Sequence, residues 1–297
     1  MLDFQYPVLE DRAWMRPILS ESGGMGNEYA FGTLFLWGGV YGSRYCRFED
    51  FLLFNWGKDR VQYNFPIGKG DLKRVLGEMM EDARQRGDAF RMWGMTGSQC
   101  EQMEAAFPDT FVFTPDRDGS DYIYRSEDLI QLAGRKYHGK RNHLSRFART
   151  YSFTYEDLGP DNLEACLEIA KAWADQSMST GEKVKSPERE LGALSLAIRH
   201  FDALALSGGL IRIDGKPVAF TIGEEINSKL FLLHFEKALS GYDGLYAAIN
   251  HEFAARNLSG YEYINREEDM GIEGLRRAKL SYYPAILLDR YTAELRP

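Results

Sequence analysis

What most constrains this chain is an order of strands and helices that recurs twice along its 297 residues. From residue 200 onward, alternating apolar and polar residues in GGLIRI and PVAFTIGEEI flank the turn Asp214-Gly215-Lys216, which predicts a β-hairpin. KLFLLHFEKA predicts a third strand. A helix follows over YDGLYAAINHEFAARNL, where Leu245, Ile249, Phe253 and Leu258 recur near helical spacing. YEYIN then reads as a strand, GIEGLRRAKLSYY as a short helix stopped by Pro284, and AILLDRYTA as a last strand. The order is β-β-β-α-β-α-β. The first half repeats it with RYCRF, FLLFNW, RVQYNFPI, the helix DLKRVLGEMMEDARQRG, FRMWGM, the helix SQCEQMEAAF, and strands FVFTP and DYIYR. Asp71 and Asp243 open the matching helices and Phe90 and Tyr261 the strands after them, so the two halves run about 172 residues apart.

Each half also has amphipathic segments ahead of its sheet: DRAWMRPILSES and EYAFGTLFLWG in the first, NLEACLEIAKAWADQS and PERELGALSLAIRHFDALAL in the second. The pattern predicts two α/β domains, at about 150 residues each. The expected boundaries are 1–125 and 150–297, joined by a basic helix over 126–149 that Ser126 and Asp128 would cap.

Charge and composition exclude several classes of function. A net charge of −8 repels polyanions, so generic nucleic-acid binding is disfavoured and any anion site must be local. Cys46, Cys100 and Cys166 stand far apart with no C-x-x-C pair, and the histidines form no H-E-x-x-H, so neither a disulfide framework nor a metal site is expected. The longest uncharged stretch, residues 29–43, falls short of the ~20 apolar residues that a membrane-spanning helix needs. With no basic and apolar leader in MLDFQYPVLED, the expected location is the cytoplasm.

Three segments, EYAFGTLFLW, LAGRKYHGKRNHLSRF and NREEDMGIEGLRRAKLSYYP, resemble bacterial proteins grouped with the C-terminal domain of phosphatidylglycerol lysyltransferases. The resemblance extends more distantly to the Fem-type peptidoglycan aminoacyltransferases and spans nearly the whole chain. It implies two tandem domains like the GCN5-related N-acetyltransferases, each a mixed, mostly antiparallel sheet flanked by helices. One departure concerns the phosphate-binding motif of those acetyltransferases, Arg or Gln followed by x-x-Gly-x-Gly or Ala. Lys237-Ala-Leu-Ser-Gly241-Tyr-Asp does not meet it, because Gly241 and Gly244 are spaced differently.

Several residues are candidates for chemistry. Between Arg135 and Arg149 lie six Lys or Arg residues, two His and no acid. Lys140, Arg141, Asn142 and Arg146 are therefore candidate anion ligands, the arginines offering forked donors suited to phosphate or carboxylate. The competing reading is a solvated connector that balances acidic neighbours. Gly241 and Gly244 precede a helix whose first N–H groups could face a phosphate, although Asp243 in the capping position would compete. Arg276 and Lys279, three apart on the last helix, suit either an anionic donor or surface ion pairs. By analogy with the resembled fold, the ends of KLFLLHFEKA and YEYIN lie at the reacting centre. Glu236 and, second, Glu267 are then the candidate general bases, and Tyr282 the candidate proton donor to a leaving group. The blander roles are a Glu236 paired with a nearby cation, a core His234, and a Tyr282 packed beside Pro284.

The expected function is transfer of an activated acyl or aminoacyl group to an amine or hydroxyl, with acyl-CoA or aminoacyl-tRNA as the donor. Binding of tRNA would have to overcome the net negative charge through the basic segment. The alternatives are a non-catalytic protein that binds an anionic metabolite or a phospholipid head group, and a peripheral enzyme acting on phosphatidylglycerol.

Overall fold

The computed structural model describes residues 2–57, 60–179 and 187–297. The chain divides into two compact units. The first comprises Met1–Tyr122, Glu268–Glu273 and Leu287–Pro297, and the second Ile123–Glu267 and Gly274–Ile286.

In chain order the first unit begins with α1 (Arg12–Glu21), α2 (Phe31–Tyr41), β1 (Arg44–Phe48), β2 (Phe51–Trp56), β3 (Gln62–Tyr63) and β4 (Ile67–Gly68). It continues with α3 (Leu72–Arg86), β5 (Arg91–Met95), α4 (Gly97–Ala106) and β6 (Phe111–Pro115). Then come β7 (Asp121–Arg125), α5 (Ser126–Gln131), α6 (His138–Thr150), β8 (Phe153–Asp157), α7 (Glu164–Ser179) and α8 (Pro187–Arg199). The hairpin β9 (Ser207–Ile213) and β10 (Lys216–Asn227) precedes β11 (Leu230–Ala238), α9 (Leu245–Asn257) and β12 (Tyr263–Asn265). The chain ends with α10 (Glu273–Leu280), β13 (Ile286–Leu288) and β14 (Tyr291–Leu295).

Local rules account for most of these elements. The β9–β10 turn has Asp214 and Gly215 both at positive φ, +48° and +78°, the twist that a two-residue hairpin loop requires. Helix α3 starts where the Asp71 side chain accepts the Arg74 N–H and ends at Gly87 in the left-handed region. Between these stops it buries Val75, Leu76, Met79 and Ala83 in the first core, beside Tyr63, Met92 and Phe111. Each large apolar side chain buried there contributes about 1.5–3 kcal/mol before entropy is counted. The second core gathers Phe147, Ile211, Val218, Ala219, Leu245 and Ile249 between one face of its sheet and helices α6 and α9. Among the described residues no helix is long and apolar enough to cross a membrane.

The two sheets are mixed and follow matching plans. The first runs β1-β2-β3-β5-β14-β6, with β4 also paired to β2; the second runs β8-β9-β10-β11-β12-β7-β13. Each has a parallel junction, β3 with β5 and β11 with β12, flanked by antiparallel pairs. Two strands differ from the simple duplication that the sequence suggests. DYIYR, expected to close the first sheet, is β7 and pairs with β12, while the end of AILLDRYTA becomes β14 and pairs with β5 and β6. Asp289 and Arg290 interrupt that last strand, and its two pieces join different sheets.

The helix expected over 126–149 is also broken. Leu132 and Gly134 take positive φ values of +48° and +82°, ending α5 before a short 3-10 turn leads into α6. Arg141 stabilises the break by donating from Nη1 to the carbonyls of Leu132 and Gly134.

Candidate functional site

The candidate site forms where β11 and β12 part company. Their parallel ladder holds for Leu230↔Tyr263, Phe231↔Ile264 and Leu232↔Asn265 and then ends, so side chains beyond it converge from two diverging backbones. On its other edge β11 bulges: Ile222 faces Phe235 and Gly223 faces Leu233, leaving His234 as the extra residue. Only glycine suits position 223, since a Cβ there would lie 2.1 Å from the Leu232 carbonyl oxygen. Past β12, Glu267 sits at φ +57° with its N–H donated to Asn265 Oδ1 at 2.7 Å. A non-glycine residue in that conformation is uncommon, and here the asparagine side chain holds it.

Two charged groups of opposite design result. In the first, Arg266 Nη2 donates to Glu236 Oε1 at 2.7 Å and Asn250 Nδ2 to Glu236 Oε2 at 3.3 Å. The Arg266 and Glu236 side chains are only 13% and 12% exposed, so this ion pair is largely screened from water. Arg266 Nη1 is buried and has no hydrogen-bond partner among the described residues. The guanidinium also faces the rings of Tyr282 and Tyr124, at 5.3 and 5.7 Å.

The second group centres on His234, whose side chain is fully buried. Its Nε2 lies 2.8 Å from Glu224 Oε1, and its Nδ1 lies 3.5 Å from Glu267 Oε1, near enough for charge attraction though not for a hydrogen bond. Burial by itself would lower the imidazole pKa, but the two carboxylates outweigh it and push the group up to about 9. His234 is therefore an imidazolium at neutral pH.

Lysines complete the site. Lys140 Nζ stands 3.8 Å from the centre of the Tyr282 ring and donates to Ser281 Oγ at 2.7 Å. Its ammonium loses water and also feels the charge of Arg266, which together bring its pKa down to about 8. Lys279 is buried and donates to the carbonyls of Arg266 and Glu267 at 2.5 and 3.0 Å, pinning the turn after β12. Burial, opposed by the Arg266 charge and aided to a lesser degree by the Glu236 carboxylate, pushes Tyr282 up to about 12, so its hydroxyl keeps its proton.

Of the residues singled out from sequence, the structure brings together Glu236, Glu267, Tyr282, Lys140 and Lys279. The others lie elsewhere or serve the backbone. Arg141 spans the α5–α6 break. Asn142 approaches His138 Nε2 at 3.4 Å, and Arg146 pairs with Asp243. Asp243 therefore does not cap α9, whose N-cap is Gly244 with no side-chain bond. Gly241 and Gly244 have φ of +93° and +87°, and a Cβ at Gly244 would come within 2.9 Å of the His143 carbonyl oxygen, so close packing requires this glycine. Arg276 is half-buried on α10. Sequence reasoning did not single out Arg266, Asn250 or Glu224. For Arg266 the available signal was an arginine directly after the YEYIN strand, at the end that fold analogy places at the reacting centre. Among the described residues no group of three or more His, Cys, Asp or Glu could hold a metal ion.

Comparison with known proteins agrees with this architecture. The family model described as "Phosphatidylglycerol lysyltransferase, C-terminal" matches residues 22–294. A crystal structure of a conserved protein of unknown function from Bacteroides thetaiotaomicron VPI-5482 is 40% identical over 100% of both chains, with a TM-score of 0.94. The structure of L-PGS from Bacillus licheniformis shares the fold at 17% identity and TM-score 0.65, covering 96% of this chain and 91% of that one. FemX does so at 9% identity and TM-score 0.61, covering 98% and 97%. An uncharacterized curated protein, MYCGA3080 of Mycoplasmoides gallisepticum, is 22% identical over 205 residues; the match covers 68% of this chain and spans 63% of that relative's length.

Proposed function

This chain belongs to the phosphatidylglycerol lysyltransferase C-terminal family, and we propose that it is an aminoacyl- or acyltransferase whose reacting centre is the β11–β12 divergence. The observation that carries this reading is the buried, unpartnered Nη1 of Arg266. A buried donor without an acceptor is costly, and a carbonyl oxygen entering the site would satisfy it. As the acyl carbon becomes tetrahedral, that oxygen gains negative charge, and a donor fixed in a water-poor site stabilises it. Removing one such donor typically costs about 100- to 1,000-fold in rate. Glu236, itself bound by Asn250, holds the guanidinium in place.

An aminoacyl ester suits the site better than a CoA thioester. At the start of α9, where a pyrophosphate would sit, stand the Asp243 carboxylate paired to Arg146 and the differently spaced glycines. A carboxylate there opposes phosphate. The match of residues 22–294 to a family model described as a lysyltransferase supports an aminoacyl group as the cargo. The deciding experiment incubates the protein with mixed aminoacyl-tRNA or with acetyl-CoA, in the presence of phosphatidylglycerol vesicles or soluble amines. Loss of aminoacyl-tRNA with labelled product, abolished in Arg266→Gln, is expected; no consumption of either donor would refute the reading. A second reading, a protein that binds anions without turnover, draws on the grouping of Lys140, Arg266 and Lys279. Saturable binding of inorganic phosphate or phosphatidylglycerol vesicles without donor consumption would favour it.

A further inference from the structure

We infer that Lys140, rather than either carboxylate at the strand divergence, takes the proton of the acyl acceptor; this rests on the transferase reading above. A general base needs a lone pair that no cation already holds. Glu236 has both oxygens engaged, one by the Arg266 guanidinium and one by Asn250. Glu267 Oε1 lies 3.5 Å from His234 Nδ1 in an ion pair, while its backbone carbonyl accepts from Lys279 Nζ. Both carboxylates are therefore already committed to ion pairs within the fold.

Lys140 is in the reverse situation. Every group that faces it favours the neutral amine or offers only a weak hold on the proton. From the segment after β12 comes the positive charge of Arg266, and from the segment after α10 come the Ser281 hydroxyl and the Tyr282 ring. Tyr124 on β7 is directed at Arg266, and Glu236 on β11 is spent on Arg266. Residues 135–150, which include α6, carry no acid, and Lys140 forms no ion pair among the described residues. The aromatic ring and the Ser281 oxygen favour the ammonium, but burial and the guanidinium outweigh them and leave the amine titrating near pH 8, where a base for neutral-pH chemistry is most effective.

The step balances without any further reagent. The acceptor's nitrogen or oxygen forms a bond to the acyl carbon while its proton passes to the Lys140 amine, and the carbonyl π pair moves to the oxygen facing Arg266. When that pair re-forms the carbonyl, the bond to the leaving oxygen breaks, and that oxygen takes the proton back from the Lys140 ammonium. The lysine ends neutral.

The test uses the full chain with the donor and acceptor that prove active. For wild type, kcat/KM should rise with pH up to about 8 and then level. Lys140→Met should lower it about 100-fold and remove that rise, with the melting temperature unchanged. Added ethylamine should restore part of the rate in Lys140→Met, which a purely structural lysine would not allow. Selective methylation of lysines with carbon-13 provides a readout independent of turnover: the Lys140 signal should titrate near pH 8 rather than with the surface lysines. A folded Lys140→Met with undiminished kcat/KM and the same pH rise, or a Lys140 that titrates with the surface lysines, overturns the assignment and leaves the transferase reading standing. A wild type that consumes no donor removes both.

Discussion

The two parallel strand junctions have the same backbone plan and opposite contents. In the first unit β3 and β5 pair at Tyr63↔Met92, and both residues are fully buried in an apolar core. Past that pair the backbones open a cleft of about 690 Å³, whose lining includes Tyr29, Phe65, Lys69, Thr96, Gln99 and Gln102. Its best-placed polar groups already serve the fold: Gln99 accepts the Thr96 N–H and donates to the Tyr29 hydroxyl. In the second unit the equivalent junction holds the Glu236–Arg266 and Glu224–His234–Glu267 groups instead. A splayed pair of strands supplies a place for chemistry, and the side chains at the strand ends decide whether there is any.

The largest expected effect that tests this contrast is Arg266→Ala. It leaves Glu236 buried without its cation, so unfolding in urea should show a loss of about 3–5 kcal/mol along with loss of transfer. A stability change as small as that of a surface substitution would mean that the ion pair is idle and the two junctions differ less than their contents suggest.

His234 gives a pH-dependent test. Its folded pKa lies above the unfolded value near 6.5, so the stability it provides is fully present below about pH 6.5 and is lost as pH rises through about 9. Thermal melts of wild type and His234→Gln should therefore differ most near pH 6, on the order of 1–3 kcal/mol, and approach each other by pH 10. A difference that does not change with pH would place a neutral imidazole at the bulge.

Glu236→Gln should have a smaller effect. The amide oxygen can still accept from Arg266, so the guanidinium keeps its place, and transfer should fall only about tenfold. A loss of about 100-fold or more would instead make Glu236 the proton acceptor and count against Lys140. Smallest of all should be Lys69→Ala or Gln102→Ala in the cleft of the first unit. Both residues are exposed, and each variant should leave transfer unchanged and stability within about 0.5 kcal/mol. A clear loss of transfer from either would give the first junction a share in the reaction.

Much of this molecule was legible from local signals. The Asp214-Gly215 turn, the Asp71 and Gly87 ends of α3, and the repeated strand and helix order all follow from steric and hydrogen-bond preferences that act over a few residues. The resemblance of three segments, near the start, in the middle and near the end, to one family was likewise visible in the sequence. Glu236 and Glu267 were singled out at strand ends, Lys140 in the basic run, Lys279 on the last helix and Tyr282 by analogy with the resembled fold, and the fold brings these five candidates near one another. What the tertiary structure alone decided is partnership. DYIYR and YTAEL have the same alternation as any edge or central strand, and nothing within them says which sheet will take them, since sheet pairing is non-local. Arg266 and Glu236 stand 30 residues apart, and the carbonyls of Leu132 and Gly134 find Arg141 only once the chain has turned back. Sequence specified which residues carry charge and where the chain bends; only the folded chain, by excluding water and fixing neighbours, determined which carboxylates are neutralised and which donor is left unpaired.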